Sequence, residues 1–252
     1  VTRRSSNLRL PFQAPYHWSA ILSFLTPRLT AGLESVTEDA YQRHGGNWTV
    51  TVTHAHHELL AEIDGPSPQD TEAKLRHIFD LDADIGAVEA HLGRFPALQS
   101  HQHPGLRLPG CWDPFELLVR AILGQQVSVK GAATLSARLV DRFGPPTPQA
   151  LVDADVALIG IPGQRAACIR AAAQAMLDGL TFDRLETVKG IGPWTAEYVR
   201  MRALHDRDAF PASDLVLLKR SGHSDPRSLT AAAEPWRPYR AYAAMHIWRS
   251  AL

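Results

Sequence analysis

The sequence predicts an α+β protein, with a small mixed unit on an antiparallel sheet followed by an all-helical remainder. Three observations predict it. Stretches that alternate apolar and polar residues, the period of a half-buried strand, are confined to about the first hundred residues. From Pro109 onward these fade, and apolar residues recur at helical spacing. The chain has 252 residues, 45% of them hydrophobic, enough to bury a substantial core and too apolar for a disordered tail. The expected division is between residues 1–108 and 109–252.

Taken in order, residues 7–13 alternate as a strand, and Trp18, Ile21, Leu22, Leu25 and Leu29 share a helical face after Pro15. Residues 48–54 are rich in β-branched and aromatic side chains, and 57–63 form their hairpin partner, ending at Asp64-Gly65-Pro66. Residues 70–81 read as a helix with Leu75, Ile78 and Phe79 on one side. Asp113-Pro114 opens the next helix, with proline at the first position, where its missing N–H costs nothing. That helix runs through Phe115, Leu118, Val119 and Ile122, and a second follows over 129–143, closed by the break at 144–148. Helical segments are expected over 155–159, 164–179, 182–188, 194–204, 215–220 and 241–248.

Composition narrows the function classes. Lys plus Arg and Asp plus Glu both number 26, a balance that on its face disfavours a nucleic-acid binder. The balance is an average. Residues 1–108 carry 9 basic and 12 acidic side chains, whereas 215–252 carry 6 and 2. A basic working half with few phosphate contacts and a shallow salt dependence fits this distribution. Two cysteines, Cys111 and Cys168, cannot build a disulfide framework or a four-thiolate zinc or iron–sulfur site, and they fit a reducing, intracellular compartment. No apolar run approaches a membrane span, and Arg3-Arg4 is not followed by the apolar stretch of a secretory signal. The leading Val1 leaves the native start open. His54 and His56, placed on one strand face beside His57, raise a metal site, but no further ligand stands at a recognisable spacing, so a solvated strand face is expected.

Two segments carry chemistry. In Val188-Lys-Gly-Ile-Gly-Pro193, Gly190 and Gly192 permit a tight turn and a close backbone approach, and Pro193 opens a new helix. The freed amides and positive dipole end of that helix suit a phosphate, and a plain helix connector is the alternative. Asp214, after Ser213 and before an apolar helical run, reads as an N-cap or as a catalytic carboxylate, and the two roles are compatible.

The segment Leu185-Glu-Thr-Val-Lys-Gly-Ile-Gly-Pro-Trp-Thr-Ala196 resembles the helix–hairpin–helix of the DNA glycosylases, spanning 185–204 here. Pro15-Tyr-His-Trp18, Arg107-Leu-Pro-Gly110, the stretch from Phe115 to Lys130 and the stretch from Pro235 to Trp248 resemble, in the same order, segments of the AlkA-type 3-methyladenine-DNA glycosylases. The resemblance covers nearly the whole chain. It implies two helical subdomains after the N-terminal one, with the active cleft between the helical parts. It also implies a monomer that needs no cofactor and acts on damaged double-stranded DNA.

By the same resemblance, Asp214 takes the position of the catalytic aspartate. Trp236, Trp194, Tyr198, Phe24, Gln125 and Leu215 would surround the flipped base, and Gly190, Gly192 and Thr195 would anchor the DNA backbone. Gln126 would occupy the wedge position, where a well-known member has leucine. Leu215 stands where a relative has an aromatic residue, so the chain departs from the pattern at two places. Trp194 lies where bifunctional members carry a lysine nucleophile, and Lys189 precedes the hairpin, which implies a monofunctional hydrolase. A monovalent cation at the carbonyls of Glu186, Val188 and Gly190 is also implied, without a catalytic role. Trp18, Trp48 and Trp248 are expected in the core. The rival readings are a glycosylase for a deaminated or oxidised purine and a non-catalytic damage-binding module.

Overall fold

The computed structural model describes residues 5–249. The N-terminal segment, read above as no secretory signal, lies outside the described residues. Five strands are present: β1 (Ser5–Pro11), β2 (Glu34–Val36), β3 (Ala40–His44), β4 (Thr49–Ala55) and β5 (Glu58–Asp64). They form one antiparallel sheet in the order β1-β5-β4-β3-β2. The β4–β5 register pairs Val50 with Ile63 and Val52 with Ala61, so the period-two alternation puts these four side chains on the buried face.

Strands β2 and β3 are absent from the sequence reading. In β3 the inward position next to Tyr41 is held by Arg43, which breaks the apolar alternation. Arg43 is tolerated because Glu116 accepts from both terminal guanidinium nitrogens, at 2.9 and 2.8 Å. The histidine reading is corrected as well. His56 leaves the strand at φ 36° in the β4–β5 turn, so it does not share a strand face with His54. His54 does stand on an exposed strand face as expected, and it stacks on Phe12, Tyr16 and Trp18 with centroids at 5.6, 6.1 and 6.2 Å.

The helices are α1 (Trp18–Leu25), α2 (Thr71–Ile78), α3 (Ile85–Leu92), α4 (Pro96–Gln99), α5 (Pro114–Leu123), α6 (Val129–Phe143), α7 (Pro148–Leu151), α8 (Gly163–Leu177), α9 (Pro193–Ala203), α10 (Leu215–Ser221), α11 (Pro226–Ala233) and α12 (Arg240–Arg249). The fold class is therefore α+β as expected. Helix α2 and Phe79 cover the inner face of the sheet, with Phe79 edge-on to Tyr41 at 5.5 Å. Helix α5 starts where the Asp113 carboxylate accepts the Glu116 amide at 2.9 Å, and it packs against α6, α8 and α9. Helix α12 is buried from Ala241 to Trp248 and packs on α10 and α4.

One apolar cluster runs through both halves of the chain. Polar contacts cross between them too. The Tyr242 hydroxyl donates to Asp80 at 2.7 Å, and His77 Nε2 donates to the Arg202 carbonyl at 3.1 Å. No helix among the described residues is long and apolar enough to cross a membrane.

Candidate active site

Asp214 caps α10, its Oδ1 accepting the amides of Val216 at 2.9 Å and Leu217 at 3.0 Å. Two indoles complete its shell. Trp194 Nε1 donates to Oδ2 at 2.9 Å, and Trp248 Nε1 donates to Oδ1 at 3.0 Å. A carboxylate has about four lone-pair sites, and four N–H groups meet it here. The three helices α9, α10 and α12 thus fix one carboxylate from three directions. The cap and the candidate catalyst are the same group.

Asp214 faces a cleft of about 350 Å³. Trp194, Tyr198 and Trp248 form its aromatic side, and Val127, Val129 and Val216 form its apolar rim. Trp194 lies flat on Tyr198, with centroids 5.0 Å apart at 8°, and Trp248 meets Tyr198 edge-on at 6.4 Å. Arg28 and Arg120 also line the cleft. Arg28 belongs to the turn after α1, so the N-terminal half contributes to the site and the cleft is not confined to the helical parts.

Burial holds the Arg28 and Arg120 guanidiniums below their ordinary values. Burial alone would push the Tyr198 phenol up. The Arg202, Arg28 and Arg120 guanidiniums overcome it and hold the phenol below its usual range. Arg202 Nη1 donates to the Tyr198 hydroxyl at 2.8 Å.

The hairpin joins a 3-10 turn, Phe182–Thr187, to α9. Gly190 sits at φ 97°, and a Cβ there would lie 2.9 Å from Cys168 Sγ, so both its backbone and its packing require glycine. Gly192 is the N-cap of α9, has no side-chain cap, and faces open space. The turn is braced by Gln125, whose amide donates to the Gly190 carbonyl at 3.1 Å and to Thr195 Oγ1 at 3.2 Å. The implied cation fits the donor set. All three candidate ligands are hard carbonyl oxygens. The Val188 carbonyl accepts from Ile191 N–H and the Gly190 carbonyl from Gln125, so each keeps one lone pair.

Several expected pocket residues stand elsewhere. Trp236 is 4% exposed, edge-on to Phe210 at 6.0 Å in the turn Glu234–Trp236, and does not line the cleft. Phe24 lies behind the wall, 2% exposed, 6.4 Å from Trp248. Leu215, the first residue of α10, turns out to solvent at 81% exposure, and Val216, one helical step round, takes the place at the cleft. Gln125 braces the hairpin rather than lining the cleft, and Thr195 is buried against it, leaving Gly190 and Gly192 as the accessible part of the turn. Gln126 is exposed at φ 57°, a left-handed backbone on the loop entering α6. Trp248 is in the core as expected, at 7% exposure, and its indole also lines the cleft. Neither it nor the two arginines is marked in the sequence, because α12 is buried all round and arginine has no apolar period to break.

Residues 7–113 match the family described as the AlkA N-terminal domain, and residues 119–225 that described as the HhH-GPD superfamily base excision DNA repair protein. The chain is 36% identical to DNA-3-methyladenine glycosylase 2 of Escherichia coli (strain K12), over 95% of each chain. It belongs to the AlkA family of DNA glycosylases.

A second AlkA-family relative, the probable bifunctional transcriptional activator/DNA repair enzyme AlkA of Mycobacterium tuberculosis (strain H37Rv), is 35% identical over 96% of this chain and 56% of its own length. Among solved structures, the 3-methyladenine DNA-glycosylase of Archaeoglobus fulgidus superposes with a TM-score of 0.80 at 20% identity, covering 96% of this chain and 97% of that one. The apo 8-oxoguanine glycosylase/lyase of Clostridium acetobutylicum has the same fold, with a TM-score of 0.76 at 15% identity over 98% and 97% of the two chains. The AlkA fold thus frames the cleft in this chain, and the chain is an N-glycosyl hydrolase of that family.

Proposed function

We propose that the chain is a monofunctional glycosylase that removes alkylated bases, such as 3-methyladenine and 7-methylguanine, from duplex DNA by base flipping. The observation that carries this reading is the single carboxylate, Asp214, held by four N–H groups at the edge of an aromatic cleft. Breaking an N-glycosidic bond builds positive charge on the sugar, and a fixed carboxylate stabilises that charge and orients the attacking water. A base alkylated at N3 or N7 is already cationic and leaves without a strong acid, so one carboxylate suffices. Trp194 and Trp248 offer flat, electron-rich faces to such a base.

The remaining parts follow. Gly190 and Gly192 hold the DNA backbone at the open turn, and Gln126 enters the space left by the flipped nucleotide. The carbonyls of Glu186, Val188 and Gly190 would hold the monovalent cation, which adds positive charge where a phosphate docks. The enzyme acts as a monomer, and with tryptophan at 194 no lysine attacks the sugar, so an abasic site is left uncut.

The test is base release by the purified protein from methylated DNA and from DNA with an oxidised base. Release of 3-methyladenine and 7-methylguanine, with strand breaks appearing only after alkali, is the expected result. Release confined to a neutral oxidised base, or strand cleavage without alkali, would overturn it.

A further inference from the structure

In the reading above two loops meet one stretch of duplex, the turn at Gly190 and Gly192 and the loop that carries Gln126. Contacts outside the cleft tie these loops together. Gln125 stands between them. Its side-chain amide donates to the Gly190 carbonyl at 3.1 Å and to Thr195 Oγ1 at 3.2 Å, and its backbone carbonyl accepts from Arg165 Nη2 at 2.5 Å. Arg165 lies in the first turn of α8. Three residues on, along the same helix face, Cys168 packs under the hairpin, its Sγ 2.9 Å from where a Gly190 Cβ would stand. Helix α8 is therefore a common platform, touching the Gln126 loop through Arg165 and the hairpin through Cys168.

The Gln126 loop depends on such a platform. Gln126 has φ 57°, a left-handed conformation that a residue other than glycine keeps only where its surroundings hold it. Its side chain is exposed and makes no hydrogen bond among the described residues. The backbone is fixed instead from either side. Gln125 before it is anchored by the three bonds above, and Ser128 after it caps α6, accepting the Gly131 amide at 3.1 Å.

We propose that Arg165 and Gln125 are positioning residues that lock Gln126 at a fixed distance from the hairpin, so that capture of the DNA backbone and filling of the duplex gap occur together. This assignment rests on the glycosylase reading above and involves no group of the cleft. Two contacts made on one duplex by a rigid body behave as a bivalent binder. Once the hairpin holds the backbone, Gln126 meets the duplex at high effective concentration, with its loop already ordered. With the Arg165–Gln125 strut cut, the loop must be ordered in each flipping event, and the flipped state is less populated.

Single-turnover release of 7-methylguanine from duplex DNA at saturating enzyme tests this, with Gln125→Leu and Arg165→Met made alone and together with Gln126→Ala. Each strut variant alone should release the base about tenfold more slowly. In the Gln126→Ala background the same change should cost less than about twofold, because no side chain is left to position. Arg165→Lys keeps a donor for the Gln125 carbonyl and should recover most of the rate lost in Arg165→Met. Binding of Arg165→Met to undamaged duplex should keep the wild-type salt dependence. Equal losses with and without the Gln126 side chain would make the strut a brace of the hairpin alone and overturn the proposal. So would a salt slope shallower by about one in Arg165→Met, the mark of a direct phosphate contact. Thermal melting checks the folds, and the Arg165 comparison stands if Gln125→Leu does not fold. Wild-type release by Gln126→Ala would overturn the wedge assignment and the strut with it, whereas no release by the wild type would overturn the glycosylase reading itself.

Discussion

The Trp248 indole donates to Asp214 Oδ1 at 3.0 Å, joining the last helix of the chain to the cap of α10. Trp248 is thus a positioning group for the carboxylate as well as a wall of the cleft. Trp248→Phe keeps an aromatic wall and removes the donor. We expect single-turnover base release to fall about tenfold, the worth of a hydrogen bond to a charged group, with little change in affinity for abasic-site DNA. A loss of affinity without a loss of rate would assign Trp248 to binding alone.

Asp214→Asn removes the charge and keeps a side-chain oxygen for the α10 cap. Base release should fall by about 10²–10⁴-fold, and DNA affinity should be retained. Asn can accept from only one of its two terminal atoms, so one indole N–H loses its partner and a modest fall in melting temperature accompanies the loss. Near-normal turnover would exclude Asp214 as the catalyst.

The hairpin glycines separate folding from binding. Gly190→Ala places a Cβ 2.9 Å from Cys168 Sγ at φ 97°, and a destabilisation of about 1–3 kcal/mol is expected by chemical denaturation. Gly192→Ala meets nothing within 4 Å and should leave the stability within about 0.5 kcal/mol. Its Cβ would occupy the open side of the turn, so DNA affinity should fall. Equal melting temperatures for the two variants would refute the assignment.

Asp80 gives a pH dependence with a definite sign. Burial pushes its carboxyl up to about 6, although the Leu108 amide, the Tyr242 hydroxyl and Arg107 all favour the charged form. His205 faces it at 3.8 Å. An unfolded aspartate titrates near pH 3.9, so the folded state binds this proton more tightly. The resulting stability is complete below about pH 4 and is lost as the pH rises through 6. Relative to Asp80→Asn, the wild type should lose about 2–3 kcal/mol between pH 4 and 7. Buried His205, pulled down to about 3, acts in the opposite direction below pH 6.5, and it is present in both proteins, so the comparison isolates Asp80. Parallel stability profiles would show that Asp80 does not carry the effect.

The local signals were strong where one short segment decides its own conformation. Pro114 and Pro193 open helices, Gly190 requires a left-handed turn, and Asp214 caps α10 through amides two and three residues on. The β4–β5 hairpin was legible because Val50, Val52, Ala61 and Ile63 alternate cleanly. Strand β3 was not, because its inward Arg43 is neutralised by Glu116, 73 positions away.

The same division holds for the cleft. The sequence by itself determined the aspartate, the hairpin and the order of family segments, since each depends on neighbours in the chain. Only the tertiary structure decided which tryptophans face the aspartate. Trp236 and Trp248 lie in the same C-terminal run, and both are nearly fully buried, so hydrophobicity cannot tell them apart. The packing of α12 against α10 brings one indole N–H to Asp214 and turns the other ring to Phe210. The cleft arginines, Arg28 and Arg120, were equally hidden, because lining a cleft is a property of three-dimensional neighbours and leaves no pattern along the chain.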